Sequence, residues 1–307
     1  MEQKPKIKLG YLRITDHLIL GVTADKLRRG VEKFQYFDLE LKPYTGWNVL
    51  AGDLRSGEID AAFVLAPIAM ELFHAGKKIN VVLQTHKSGS LIVTNKRANI
   101  QSLGDFRGRA VLIPHYLSVH HLLFDKLCRE SGLSIGAGKD IVFDVVAPGE
   151  IPEILEWDEK GRVGGFIVAE PFGTQVVNAG FGEEFKLSKD IWPKNPCCVL
   201  AIKEELIGIN PDGVQELVSS LVESGRYITE NPLQASEIGA AFLSQEVSTI
   251  QRVLTDPGRV SYNELLPVVE DFEYIQTYMT TTIHAMSEKV NLQDFLNNDF
   301  AIEAGAE

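Results

Sequence analysis

The sequence predicts an α/β protein built from two doubly wound halves and closed by a helical C-terminal region. Three observations carry this reading. Short continuous apolar runs of strand length, such as 59–65 (IDAAFVL) and 165–169 (GFIVA), alternate with helical segments, as expected of parallel strands covered on both faces. A strand that opens through a short loop onto a helix start occurs twice, at 7–20 and at 102–124. After Pro211 the pattern becomes almost wholly helical.

The elements follow in order. Residues 6–11 form the first strand, and Thr15 or Asp16 can cap a helix with its body at 18–29. Residues 36–43 (YFDLELKP) alternate as a second strand, Trp47 follows in a Gly-containing turn, and 48–56 is a short amphipathic helix. The strand 59–65 ends before Pro67, a helix 67–76 stops at Gly76, and 79–85 is the next strand. His86-Lys87-Ser88-Gly89 reads as a polar loop before a strand at 90–94. The second half has strands at 110–114, 141–146, 165–169 and 198–203, and helices at 118–131, 151–158 and 172–179. Ser118 is the expected N-cap of the helix carrying Leu122, Leu123 and Leu127. Further helices are expected at 212–230, 233–243, 246–254 and 262–290.

Composition narrows the function. The chain has 307 residues, a net charge of −12 and no basic run, which speaks against a nucleic-acid partner. Apolar residues make up 45%, and no apolar run reaches the ~18 residues that span a bilayer. Met1 to Gly10 leads straight into a strand and shows no signal peptide, so the chain is expected to be cytosolic or to follow a removed leader. Cys128, Cys197 and Cys198 show no disulfide framework and no metal-ligand spacing, and read as small buried apolar side chains. No cofactor and no metal is expected.

The order LGYLRITDHLIL, GWNVLAGDLRSGEIDAAFVLAP, SLGDFRGRAVLIP, GGFIVAEPFGTQVVNAG, VLAIKEELIGINPDGVQELV and ITENPLQASE resembles the substrate-binding proteins of nitrate/sulfonate/bicarbonate-type ABC importers. The resemblance runs from Ile7 to about Leu254, and LGYLRITD, GW and SVHH are nearest the nitrate- and bicarbonate-binding branch. It implies a two-lobed periplasmic-binding-protein fold (type II): two sheets joined by two crossings, closing on a solute as a Venus flytrap. Lobe one would comprise 1–94 and 196–307, and lobe two 95–195. The implied activity is capture of a small polar or anionic solute, such as nitrate, bicarbonate, a sulfonate or a related organic ligand. The implied partners are that solute and a membrane permease. A periplasmic or membrane-anchored extracellular monomer that does no chemistry is expected.

Ligands of open α/β sheets sit beyond the carboxyl ends of the strands. Residues there are Thr15, Asp16, Trp47, Gln84, Ser118, His120 and Glu170, to which Cys198 is added from the return strand. Each has a second reading. Asp16 and Ser118 can be helix caps, Trp47 a plug at the sheet edge, Gln84 a partner of loop backbone, and Glu170-Pro171 a strand stop. The resemblance favours Trp47 as ligand wall and His120, in its Ser-x-His, over His121. It also implies a lysine just before the return strand, where this chain carries Cys198. Without that cation a buried inorganic anion lacks its counter-charge, so nitrate is disfavoured. Two other classes compete: a sensing domain fused to an importer ATPase or signalling protein, and an enzyme of thiamine-pyrimidine synthesis on the same scaffold. For the enzyme, no nucleophile–base–orienter set is present.

Overall fold

The computed structural model describes residues 4–307; the first three residues of the expected lobe one lie outside them. β1 (Lys6–Leu12) leads through a 3-10 turn, Thr15–His17, into α1 (Leu18–Arg28). There follow β2 (Asp38–Tyr44), α2 (Trp47–Ser56), β3 (Ala61–Leu65), α3 (Ala66–His74) and β4 (Ile79–Gln84). The short β5 (Lys87–Ser88) precedes β6 (Ser90–Asn95), β7 (Arg109–Ile113), α4 (Val119–Glu130), β8 (Ile141–Val145) and α5 (Ile151–Trp157). Next come β9 (Val163–Ala169), α6 (Phe172–Asn178), β10 (Gly182–Leu187), β11 (Cys198–Lys203), α7 (Glu204–Ile209), α8 (Pro211–Glu230), α9 (Pro232–Leu243) and α10 (Val247–Thr255). The two-residue β12 (Val260–Ser261) and α11 (Val269–Thr281) follow.

The strands form two five-stranded sheets, in the orders β2-β1-β3-β11-β4 and β10-β6-β9-β7-β8. This is the two-lobed α/β architecture, with one departure from the parallel sheets expected. β11 runs antiparallel to β3 and β4, and β6 runs antiparallel to β9 and β10. The reason is directional. β1, β3 and β4 run toward the gap between the sheets, so a strand entering from the other lobe begins at that gap and runs away from it.

One boundary also moves. β6 belongs to the second sheet, so the first crossing lies at 85–89 and the expected boundary at 94 shifts to before Ser90. The C-terminal helices do not all rest on lobe one: α10 packs on α6, and α11 touches both α3 and α4. The single helix expected over 262–290 is α11 alone, because Pro267 stops a helix from beginning earlier. β10 (GEEFKL) was not foreseen, since its composition is polar.

Packing explains the local sequence. One face of the first sheet buries Ile7, Leu9, Phe63 and Leu200 against Leu18 of α1 and Val218 and Leu221 of α8. In β9, the glycine of GGFIVA allows close backbone contact: a Cβ on Gly165 would fall 2.3 Å from the Val93 carbonyl oxygen. Gly165→Ala is therefore expected to lower stability by about 1–3 kcal/mol, the usual cost of overpacking. Thermal unfolding of the variant checks this, and an unchanged midpoint would contradict it.

Candidate functional site

The strand register places the site. Cys198 opens β11 opposite Leu65, the last residue of β3, and Val199 lies opposite Gln84, the last residue of β4. Across the gap, Ser90 opens β6 opposite Ala169 at the end of β9. The loop after β1 bridges the lobes: the Thr15 N–H and hydroxyl both donate to the Glu170 carbonyl oxygen, at 2.8 and 3.0 Å. The Tyr262 hydroxyl donates to the Thr15 carbonyl oxygen at 2.7 Å.

At the centre lies an ion pair. His86 Nε2 stands 2.9 Å from Asp16 Oδ2, and both side chains are fully buried. The Cys198 thiol donates to the same carboxylate oxygen at 3.6 Å. Burial by itself would push the His86 pKa down, but the Asp16 charge and hydrogen bond outweigh it and raise it to about 10. Burial would likewise raise the Asp16 pKa, and His86 above all holds it below the usual carboxylate range. The pair is charged at neutral pH. Burial depresses the neighbouring His17 and His120 to about 4, against the pull of Asp16, so both are neutral. Burial is the leading cause for His120.

Six buried polar atoms around this pair have no protein partner: Asp16 Oδ1, His17 Nε2, Trp47 Nε1, Gln84 Oε1, His86 Nδ1 and His120 Nδ1. Contacts link them into one region. The His17 and Trp47 rings meet edge to face at 6.0 Å, Gln84 Nε2 donates to the His86 carbonyl oxygen at 3.1 Å, and His120 Nε2 pairs with the Ser90 hydroxyl at 2.9 Å. Gly89 keeps the space open, since a Cβ there would come 3.1 Å from His86 Nδ1 and 3.3 Å from Asp16 Oδ1. Leaving one buried polar atom unpaired costs about 1–3 kcal/mol. Six such atoms gather at the junction of the two lobes.

The expected residues divide. Asp16, Trp47, Gln84, His120 and Cys198 meet here, while Thr15 spends its hydroxyl on the interlobe contact. Asp16 is not the helix cap allowed for it, because α1 has no side-chain cap. Ser118 is the cap of α4, accepting from His121 N–H and donating to the His115 carbonyl, so its hydroxyl is committed to the helix. Glu170 is turned away as well: its carboxylate holds Arg259 Nε at 2.7 Å and the Thr174 hydroxyl and N–H at 2.7 and 3.0 Å. His121, on the other side of α4, is ringed by Tyr116, Phe143 and Tyr278. Sequence reasoning missed His17, His86 and Cys197. A histidine directly after a strand end was the available signal for His86.

A pocket of about 180 Å³ at the lobe junction is lined by Leu12, Ile14 and Tyr44 from one side and Pro148, Gly149 and Phe172 from the other. A roomier pocket of about 550 Å³ lies beside the crossings, lined by Lys87, Lys189 and Lys194, and neither pocket is lined by the residues of the six unpartnered atoms. Its Lys87 ammonium is already bound to Asp271 at 2.6 Å.

Two mixed sheets with a polar, buried junction between them lead to the comparison with known proteins, and the family profile for NMT1-like proteins matches residues 1–243. The chain belongs to the NMT1-like family. This NMT1-like chain is 24% identical over 280 residues to the nitrate import ATP-binding protein NrtC of Synechocystis, covering 85% of the chain and 41% of that protein. It spans about two fifths of the length of the first curated relatives it matches, 41% and 37%. Its fold superposes with a TM-score of 0.86 on the ligand-binding component of an ABC-type import system from Staphylococcus aureus with zinc bound, at 27% identity and covering 98% and 99% of the two chains. The periplasmic nitrate-binding protein NrtA of Synechocystis follows with a TM-score of 0.84 at 16% identity, covering 98% and 88%. Among the described residues no helix is long and apolar enough to cross a membrane.

Proposed function

We propose that this chain is the solute-binding component of an ABC importer: it captures a small solute between its lobes and delivers it to a permease, with no chemistry of its own. The observation that carries this is the set of six unpartnered buried polar atoms at the lobe junction. The same set describes the solute. Trp47 and the charged His86 offer donors, Asp16 and Gln84 offer acceptors, and the neutral His17 and His120 can adapt by tautomer. His86 is the cation of this region, and Asp16 already compensates it. A bare anion would meet a carboxylate and no free positive charge, so the solute is neutral or cationic and carries hydrogen-bond donors. The neighbours' ligands differ, nitrate in one and zinc in another, and do not decide the matter. The chain acts as a monomer outside the cytoplasmic membrane, periplasmic or membrane-anchored.

Native mass spectrometry of the purified protein tests for a co-purified small molecule, and calorimetry with that molecule and with nitrate, bicarbonate and taurine ranks them. His120→Ala is expected to weaken binding about 5- to 150-fold, from the ~1–3 kcal/mol of an unpaired buried partner. His121→Ala should loosen the fold around Tyr116, Phe143 and Tyr278 and leave affinity nearly unchanged. Nitrate binding tightest would refute the proposed charge of the solute.

A second reading is a ligand-sensing domain attached to an importer ATPase, favoured by the match to part of NrtC. It requires solute to change the ATP hydrolysis rate of a protein containing both parts, and an unaltered rate rejects it.

A further inference from the structure

We propose that Asp16, His86, Cys197 and Cys198 form a binding site for one divalent transition-metal ion of the zinc class. These four side chains each present one donor atom, and all four atoms lie within 4.8 Å of one another. The side chains come from three separate stretches: the turn after β1, the first crossing between the lobes, and the return into β11. Tetrahedral zinc has ligand bonds of about 2.0–2.3 Å, which sets donor atoms roughly 3.3–3.8 Å apart. The observed distances straddle that spacing: Asp16 Oδ2 stands 2.9 Å from His86 Nε2 and 3.6 Å from Cys198 Sγ, and no two of the four donor atoms are more than 4.8 Å apart. Small shifts of buried side chains would bring all four donors to bonding distance of one ion.

The donor types select the ion. Two thiolates, an imidazole and a carboxylate suit zinc and its neighbours, whereas calcium and magnesium require oxygen donors. Cys197 and Cys198 are free thiols, and adjacent cysteines do not easily bridge to each other. Both lie fully buried beside an Asp–His pair, although the sequence suggested simple apolar filling. Burial excludes water, so four protein donors close the shell and leave no open position for catalysis. An ion here also fastens both crossings to the loop after β1, which places it where the lobes hinge. Loading requires deprotonation of the thiols and of His86, and releases protons to solvent.

A second feature points the same way. Asp16 Oδ1 and His86 Nδ1 are both unpartnered, and both face the bare Cα of Gly89. The hydrogen bonds among the four residues therefore leave the pair incompletely satisfied.

The metal site shares Asp16 and His86 with the proposed solute region, and its test reads the metal alone. Purified protein is stripped with a chelator, reduced, and titrated with cobalt(II) under nitrogen. Expected are visible bands of tetrahedral cobalt and a thiolate-to-cobalt charge-transfer band in the near ultraviolet, saturating at one equivalent and abolished by zinc. Cys128→Ser, remote from the cluster, should titrate as the unmodified protein. Cys198→Ser and His86→Gln should bind at least about 100-fold more weakly, the most that losing a residue which only supports a ligand costs. Should these variants fail to fold, the spectrum of the unmodified protein still decides. Absence of the charge-transfer band at excess cobalt, or its persistence in folded Cys198→Ser, overturns the site. Calorimetry with the co-purified solute is read separately, so failure of the metal site and failure of the solute reading give different results.

Discussion

Replacing Arg259 with methionine is expected to destabilise the folded chain by about 3–5 kcal/mol, the cost of stranding a buried carboxylate. The Arg259 side chain is 1% exposed and its partner Glu170 is 0% exposed, with Nε and Oε1 at 2.7 Å. Arg259 also reaches Glu184 at 2.8 Å and Asp256 at 3.0 Å, but these carboxylates are about a third exposed and can turn to water. Glu170 cannot. Its main chain meanwhile accepts the Thr15 bonds that hold the first lobe to the second. The loss should thus be felt in both lobes. Changing Glu170 to glutamine in the same chain removes the stranded charge, so the double variant should recover much of the stability. Urea unfolding of the three proteins measures this, and a single-variant loss below about 1 kcal/mol would show that Glu170 finds another partner.

A second large effect is expected on the acid side of neutrality. Burial first, tempered by the Asp16 charge and reinforced by His86, depresses His120 to about 4 from an ordinary 6.5. In the unfolded chain it returns to about 6.5. Between these values the unfolded chain takes up a proton that the folded chain refuses, so stability falls as pH falls through this window. Above 6.5 the contribution is fully present. The shift corresponds to roughly 3 kcal/mol at most, at ~1.36 kcal/mol per unit. His17 and His121 are depressed by burial too and share this limb, so the test is a difference. His120→Gln keeps a group able to meet the Ser90 hydroxyl and removes the titration. Urea midpoints against pH should fall less steeply for the variant between 6.5 and 4. Superimposable slopes would mean that His120 does not stay neutral in the fold.

Much of the architecture was legible along the chain. The runs 59–65 and 165–169 became β3 and β9, Ser118 did cap α4, and the long helices after Pro211 formed near their expected places. These signals are local: apolar period, a capping hydroxyl and a proline act within a few residues of themselves. The misses share a cause. β10 carries no apolar run because it lies at the edge of its sheet, and Pro267 was overlooked within an otherwise helical pattern. The direction of β6 and β11, and the lobe to which β6 belongs, depend on which end of a sheet the chain re-enters.

The site divides along the same line. That Trp47, Gln84 and His120 follow strand ends or open helices can be read from spacing, and their meeting at the lobe junction follows from the α/β rule. That Glu170 is consumed by Arg259, that Ser118 is consumed by its helix, and that His86 leaves its loop to pair with Asp16 cannot be. Cys198 and Asp16 are 182 positions apart, yet the thiol donates to that carboxylate. Composition and periodicity dictate which segments are strands, which are helices and which faces are buried, because those choices are settled by each segment's own side chains. The pairing of one buried charge with another is settled by loop closure across the whole chain, where desolvation makes an unpartnered carboxylate or imidazolium too costly to keep.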